Sequence, residues 1–186
     1  MAPSITPLEA VYGLGGNDTL TASAGGNLLA GGAGADRLYG GSGADTFQLG
    51  GVGTGTFDLS TLGAQYTGFS IFNKIGASTW IVTNTQSVTT PWTISSGLLI
   101  VNGSLANATS VTVSGGTLGG TGTVSTTNVN AGGTLAPGNS TNPTGTLIAP
   151  WSVFWRRFWS GWVPTRPISG RPDGKMVRMR AKSARL

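Results

Sequence analysis

Four contiguous stretches of nine residues, running from Gly13 to Gln48, constrain this chain more than any other feature in it. The last two are Gly31-Gly32-Ala33-Gly34-Ala35-Asp36-Arg37-Leu38-Tyr39 and Gly40-Gly41-Ser42-Gly43-Ala44-Asp45-Thr46-Phe47-Gln48. Both place glycine at positions 1, 2 and 4, aspartate at position 6 and a large apolar residue at position 8. Glycine lets the backbone turn sharply through positive φ. The aspartate offers a hard oxygen ligand, and the apolar residue gives each short strand one side chain to bury. A fixed period of this kind specifies stacked coils rather than a globular core. The two earlier units are decayed. Gly13 to Thr21 keeps Gly13, Gly16, Asp18 and Leu20 but has Leu14 where the second glycine belongs. Ala22 to Ala30 keeps Gly25 and Leu29 and puts Asn27 at the aspartate position.

The pattern G-G-x-G-x-D-x-U-x, with U a large apolar residue, resembles the RTX family of hemolysin-type calcium-binding repeats over about residues 13–48. The resemblance implies a parallel β-roll in which one coil takes two units, so that units two apart stack on the same side. Asp18 would then lie beside Asp36 on one edge, and Asn27 beside Asp45 on the other. The implied cofactor is Ca2+, which takes six to eight oxygens that carboxylates and turn carbonyls can supply together. The candidate metal-site residues are Asp18, Asn27, Asp36 and Asp45, with the turn glycines Gly16, Gly32, Gly34, Gly41 and Gly43. The first pair offers two carboxylates and the second only one, so one stronger and one weaker site are expected.

Composition argues for the same architecture and against catalysis. Thr/Val-rich runs broken by Gly and Asn read as short strands and turns, and 32 of the 186 residues are glycine. The chain has no histidine and no cysteine. That removes Ser-His-Asp and Cys-His nucleophiles, zinc sites and disulfides together. Gly170-Arg171-Pro172-Asp173-Gly174-Lys175-Met176 has neither the spacing nor the hydroxyl of a phosphate loop. Of the six acidic residues, Glu9, Asp18, Asp36, Asp45, Asp58 and Asp173, three already belong to the repeat, and nothing singles out a catalytic pair. The chain is not expected to be an enzyme. The first residues carry no basic segment followed by an apolar one, so they do not read as a signal peptide. No run reaches the eighteen or so apolar residues of a membrane span.

From about Gly55 the text changes but stays β. Thr56-Phe57-Asp58-Leu59 and Phe69 to Gly76 lead into Ser78-Thr79-Trp80-Ile81-Val82-Thr83. After Pro91-Trp92-Thr93-Ile94 come loosely repeated glycine corners at Gly97, Gly116 and Gly133, 19 and 17 residues apart. That spacing suits one coil of a β-solenoid. Gly115-Gly116-Thr117-Leu118-Gly119-Gly120-Thr121-Gly122-Thr123-Val124 and Gly132-Gly133-Thr134-Leu135-Ala136-Pro137-Gly138-Asn139-Ser140 resemble the autotransporter-associated β-strand repeat, over about residues 55–147 in all. That resemblance implies the right-handed parallel β-helix of a type V secretion passenger, an extended rod carried outside the cell, often as an adhesin or stalk. Asn142-Pro143-Thr144 reads as a small insertion before the next strand. The family's carboxy-terminal membrane barrel needs many amphipathic strands, and residues 148–186 lack that alternation. A piece of a longer passenger is expected.

Charge separates the tail from the body. Residues 1–149 hold two basic residues, Arg37 and Lys74, and five acidic ones, whereas residues 150–186 hold nine basic and one acidic. In the tail Trp151, Phe154, Trp155, Phe158, Trp159 and Trp162 fall on one face of a helix, with Arg156 and Arg157 opposite. Read functionally, that stripe is an interfacial membrane helix, with Lys175, Arg178, Arg180, Lys182 and Arg185 adding attraction to anionic lipid. The bland reading is a shifted reading frame, since composition changes abruptly after Ala149 in mid-repeat. Nothing around the basic run forms a nucleic-acid motif, so no nucleic-acid partner is expected.

The expected fold is all-β: a parallel β-roll leading into a right-handed parallel β-helix, with a tail outside the solenoid. The expected organisation is a leader at 1–12, calcium-binding repeats at 13–50, a connecting β segment at 51–91, β-helix repeats at 92–149 and the basic tail at 150–186. The expected function is that of a calcium-binding structural segment of a secreted or surface-exposed bacterial protein, an adhesin-like passenger. The alternative is the accessory repeat region of a secreted hydrolase or toxin whose catalytic domain lies elsewhere. The repeats name calcium as a partner but no host or cell-surface ligand.

Overall fold

A computed structural model describes residues 10–22, 26–33, 36–138 and 145–149, together with the backbone of 150 and 176–180. The repeat segment contributes β1 (Ala10–Tyr12), β2 (Thr19–Thr21), β3 (Leu28–Ala30), β4 (Arg37–Tyr39) and β5 (Asp45–Leu49). The connecting segment supplies β6 (Thr54–Asp58), a 3-10 turn at Leu59–Thr61, β7 (Tyr66–Thr67), β8 (Phe69–Lys74) and β9 (Thr79–Thr83). Then follow β10 (Trp92–Ile94), β11 (Leu98–Val101), β12 (Ser104–Leu105), β13 (Val111–Val113), β14 (Thr117–Gly120), β15 (Thr123–Val124), β16 (Thr127–Val129), β17 (Thr134–Pro137), β18 (Thr146–Pro150) and β19 (Met176–Arg180).

These strands stack as a parallel β-solenoid of about six turns. One seven-stranded sheet, in the order β1-β3-β5-β8-β10-β13-β16, runs the length of the stack. The roll has a second, three-stranded face, β2-β4-β7. A five-stranded face begins at β6 and continues through β9, β11, β14 and β17. A four-stranded face, β12-β15-β18-β19, completes the later coils. The cross-section therefore widens within the connecting segment, from two faces to three.

The register follows the repeat. Leu20 pairs with Leu38 and Leu29 with Phe47, each 18 residues on, so units two apart do stack. In the later coils Leu98 pairs with Thr117 and Thr117 with Thr134, which places the corners Gly97, Gly116 and Gly133 directly above one another. At Gly116 a Cβ would press on Ile94 and on the backbone of the coil before it, so the corner admits only glycine.

Because successive strand residues point to opposite faces, one inward file runs Leu29, Phe47, Phe72, Trp92, Val111 and Thr127, all essentially buried. Phe47 is the hub where the roll meets the wider coils. Its ring lies 5.1 Å from Phe57, 5.2 Å from Tyr66 and 5.5 Å from Phe72. The neighbouring inward file contains a lysine. Lys74, paired with Leu49 and Ile94, is fully buried, and its ammonium donates to the carbonyls of Ile75 (2.7 Å), Ser96 (3.1 Å) and Gly76 (3.2 Å). All three N–H donors are satisfied, while burial holds its pKa below the ordinary lysine value. Asp58 caps the 3-10 turn. Its Oδ1 accepts from Ser60 Oγ, Asn84 Nδ2 and Ser60 N, which lower its pKa.

The tail departs from expectation at one point. Pro150, placed above as the first residue of the tail, is the last residue of β18, and Met176–Arg180 pairs antiparallel with β18 from Thr146↔Arg180 to Pro150↔Met176. An antiparallel strand cannot be one more coil of a parallel stack, but it covers the last edge of the four-stranded face. The aromatic stripe from Trp151 to Trp162 and the insertion at Asn142-Pro143-Thr144 lie outside the described residues.

Candidate metal centre

The turns of the repeat are built from the glycines that the pattern requires. At position 2, Gly32 and Gly41 have φ of 95° and 77°; at position 4, Gly16 and Gly43 have φ of 113° and 117°. Gly34 lies outside the described residues. Position 1 is glycine for a different reason. A Cβ on Gly13, Gly31 or Gly40 would press against the aspartate five residues later in the same unit, Asp18, Asp36 or Asp45. The turns at Gly13 and Gly31 thus fold their own carboxylate back beneath the first residue, while at Gly40 the Gly68 carbonyl of the next coil lies closer still.

Stacking then brings the sequence-predicted residues together in two pairs. On the first edge Asp18 N donates to Asp36 Oδ1 at 3.0 Å, and Arg37 N donates to Asp18 O at 2.8 Å. The two turns are stitched further by Ala33 N to Leu14 O (3.0 Å) and Gly16 N to Ala33 O (2.9 Å). On the second edge Asn27 donates twice to Asp45 Oδ1, from its backbone N at 2.7 Å and from Nδ2 at 3.1 Å. Asn27 therefore works here as a hydrogen-bond donor to the carboxylate one coil on.

The remaining carboxylate oxygens are the chemically telling ones. Asp45 is wholly buried, and both its Oδ2 and that of Asp18 are out of solvent with no hydrogen-bond partner. Burying an ionised oxygen without a partner is expensive, so these positions call for a cation. No group of three or more His, Cys, Asp or Glu exists among the described residues. A metal here must therefore complete its shell from turn carbonyls. Oxygen-only ligation of that kind suits a hard cation of the calcium type and excludes zinc chemistry.

The family description "RTX calcium-binding nonapeptide repeat", in four copies, matches residues 12–47. Residues 12–47 carry RTX repeats. RTX nonapeptides are calcium-binding motifs, and the stretch matched is the one whose turns hold the unpartnered carboxylate oxygens. No curated protein and no solved structure matches the chain.

One residue of this region was invisible to the repeat pattern. Tyr66, from the connecting segment, pairs with Leu38 and so completes the second face of the roll. Its hydroxyl pKa is raised by burial first and by the charge of Asp36 second. Leu14 occupies the position-2 turn with φ 70° and is 80% exposed. A left-handed conformation costs a residue with a Cβ about 1–2 kcal/mol, of which glycine's own chain entropy returns roughly 0.5–1 kcal/mol. Leu14→Gly is therefore expected to stabilise the RTX segment by roughly 0.5–1 kcal/mol. Urea denaturation in calcium checks this, and an unchanged or lower midpoint would show that the turn tolerates leucine.

Proposed function

We propose that this chain is a calcium-stabilised structural rod, with ions held between the stacked RTX turns by Asp18 and Asp36 on one edge and by Asp45 on the other. Gly16, Gly32, Gly34, Gly41 and Gly43 would shape the turns whose carbonyls complete each shell. The observation that carries this reading is the buried, unpartnered Oδ2 of Asp45 inside an RTX turn. Calcium supplies the positive charge that the protein leaves out. Nothing in the reading requires catalysis: the inward files are mainly apolar packing, with the buried Lys74 satisfied by three carbonyls, and the turns are metal cradles.

The coils beyond Trp92, with glycine corners at Gly97, Gly116 and Gly133, favour the rod of an adhesin-like passenger of a type V secreted surface protein. RTX repeats are typically found in secreted proteins, and in that setting a calcium Kd of about 10⁻⁴–10⁻³ M is the expectation. Among the described residues no helix is long and apolar enough to cross a membrane.

Asn27→Asp tests the metal assignment because its sign depends on calcium. Without metal it replaces the Asn27 Nδ2 donor by a carboxylate against buried Asp45, and repulsion should lower the melting temperature. With calcium near 10 mM, about a hundredfold above a 10⁻⁴ M Kd, the added ligand should reverse the deficit and tighten binding in calorimetry. Equal destabilisation in chelator and in calcium would overturn the reading.

A further inference from the structure

Lys74 closes β8, where the chain leaves the seven-stranded face and turns through residues 75–78 into the five-stranded one. Residues 95–97 make the same corner one coil on. Lys74 is also the one polar member of an inward file that otherwise runs Leu49, Ile94, Val113 and Val129. Packing alone asks for another aliphatic side chain at that place, and a buried ammonium is costly unless its charge is met.

What meets the ammonium is a set of carbonyls from both corners, Ile75 O and Gly76 O from the first and Ser96 O from the second. Among the described residues no main-chain N–H donates to any of the three, and no carboxylate bonds to the lysine. A Cβ on Gly97 would press on Nζ and on the carbonyls of Gly76 and Ser78, so this corner glycine keeps open the space that the ammonium fills. Carbonyl oxygens gathered on one point without donors of their own are the ligand set of a monovalent-cation site. Calcium sites add carboxylates to such a set, and this corner supplies none among the described residues.

We infer that Lys74 is a tethered cation, whose ammonium fills a monovalent-cation site made by two stacked corners and so clasps one coil to the next. The bond to Ser96 O is the one that crosses between coils, while those to Ile75 O and Gly76 O hold the head in its own corner. The chain thus carries its positive charge covalently at this corner, where the RTX turns take theirs from solution. Vacating the side chain should leave a site that accepts a small primary ammonium ion, because three carbonyls match three N–H donors. Lys74 lies outside the repeat, so its role stands or falls apart from the calcium reading.

The test uses the full chain with calcium present and two variants. Lys74→Met keeps an unbranched stem and drops the charge, whereas Lys74→Ala vacates the space of one n-propylammonium ion. Amide exchange is followed at Ser95 and Leu98, which donate across the corner to Lys74 O (2.9 Å) and Ser78 O (3.1 Å). In Lys74→Met both amides should exchange about tenfold faster than in wild type, the effect of losing charged hydrogen bonds between the coils. In Lys74→Ala, n-propylammonium should restore most of the protection. At equal concentration n-propanol, which has the stem without the charge, and tetramethylammonium, which has the charge without N–H donors, should not. If Lys74→Ala is unfolded by itself, recovery of its fold in propylammonium but in neither control is the same result. Wild-type protection in Lys74→Met overturns the inference. So does a Lys74→Ala variant that propylammonium fails to restore, or that either control restores equally.

Discussion

Removing calcium should unfold the RTX segment while the coils beyond Trp92 remain folded. In chelator, amides of residues 12–47 are expected to exchange freely with solvent while those of residues 92–138 stay protected, and calcium near 10 mM should restore the first set. The asymmetry lies in what each part can bury. In the roll β1 to β4 are each three residues long and contribute mainly one large inward residue, and at the first coil even those, Val11 and Leu20, are only half-buried. The later coils bury Trp92, Ile94, Leu99, Val101, Leu105, Val111, Val113 and Leu118 almost completely. The roll also carries the unpartnered oxygens of Asp18 and Asp45, each costing about 1–3 kcal/mol or more when charged. An ion present at a hundredfold over its Kd returns about 2.7 kcal/mol per site. In a solenoid, where coils stabilise their neighbours, that is enough to decide whether the first coils stand. Asp36→Ala combined with Asp45→Ala should abolish the calcium response. Protection of residues 12–47 that ignores chelation would show that the roll folds without metal.

What the sequence made legible is whatever repeats. The 18-residue stacking of Leu20 on Leu38 and of Leu29 on Phe47 followed from the RTX resemblance, which implies two units per coil, while the repeat itself marked position 8 as the apolar residue of each unit. The corners at Gly97, Gly116 and Gly133 were readable because a missing Cβ is the condition for the coils to approach. Illegible were the features that belong to one coil only. Nothing in the text around Tyr66 says that this residue closes the roll, since it sits outside the nonapeptide register and pairs across 28 residues with Leu38. Lys74 reads as a surface charge, and only the fold supplies the three carbonyls that let it lie in an inward file. The candidate site shows the same division. Which of these residues approach one another followed from the two-unit coil that the RTX resemblance implies, whereas the role of Asn27 as a donor to Asp45 depends on side-chain geometry that no spacing encodes. The strand at Met176–Arg180 was missed because antiparallel pairing leaves no trace in the repeat.

Trp92→Ala should be among the most destabilising single changes outside the RTX segment. Trp92 has no exposed surface, and its ring lies 4.9 Å from that of Phe72 in the inward file. Its indole Nε1 donates at 2.6 Å to Oε1 of Gln86, itself wholly buried. Gln86 in turn donates through Nε2 to Val88 O (2.5 Å) and Thr90 O (3.4 Å), which folds the Gln86–Thr90 loop back onto β10. Truncation to alanine opens a cavity worth about 3–5 kcal/mol, and it leaves Gln86 Oε1 unsatisfied in the interior. Trp92→Phe separates the two effects. It keeps an aromatic ring on Phe72 but removes the donor, so it should cost about 1–3 kcal/mol, the penalty of one stranded acceptor. Urea melts should therefore rank wild type above the phenylalanine variant and that above the alanine variant. Because each coil contacts only its neighbours, loss of protection in the alanine variant should centre on β8, β10 and β13. Equal costs for the two substitutions would mean that the hydrogen bond to Gln86, rather than the packed ring, holds this coil. A cost below about 2 kcal/mol for Trp92→Ala, under the range for emptying a packed core site, would mean that the coil collapses around the gap.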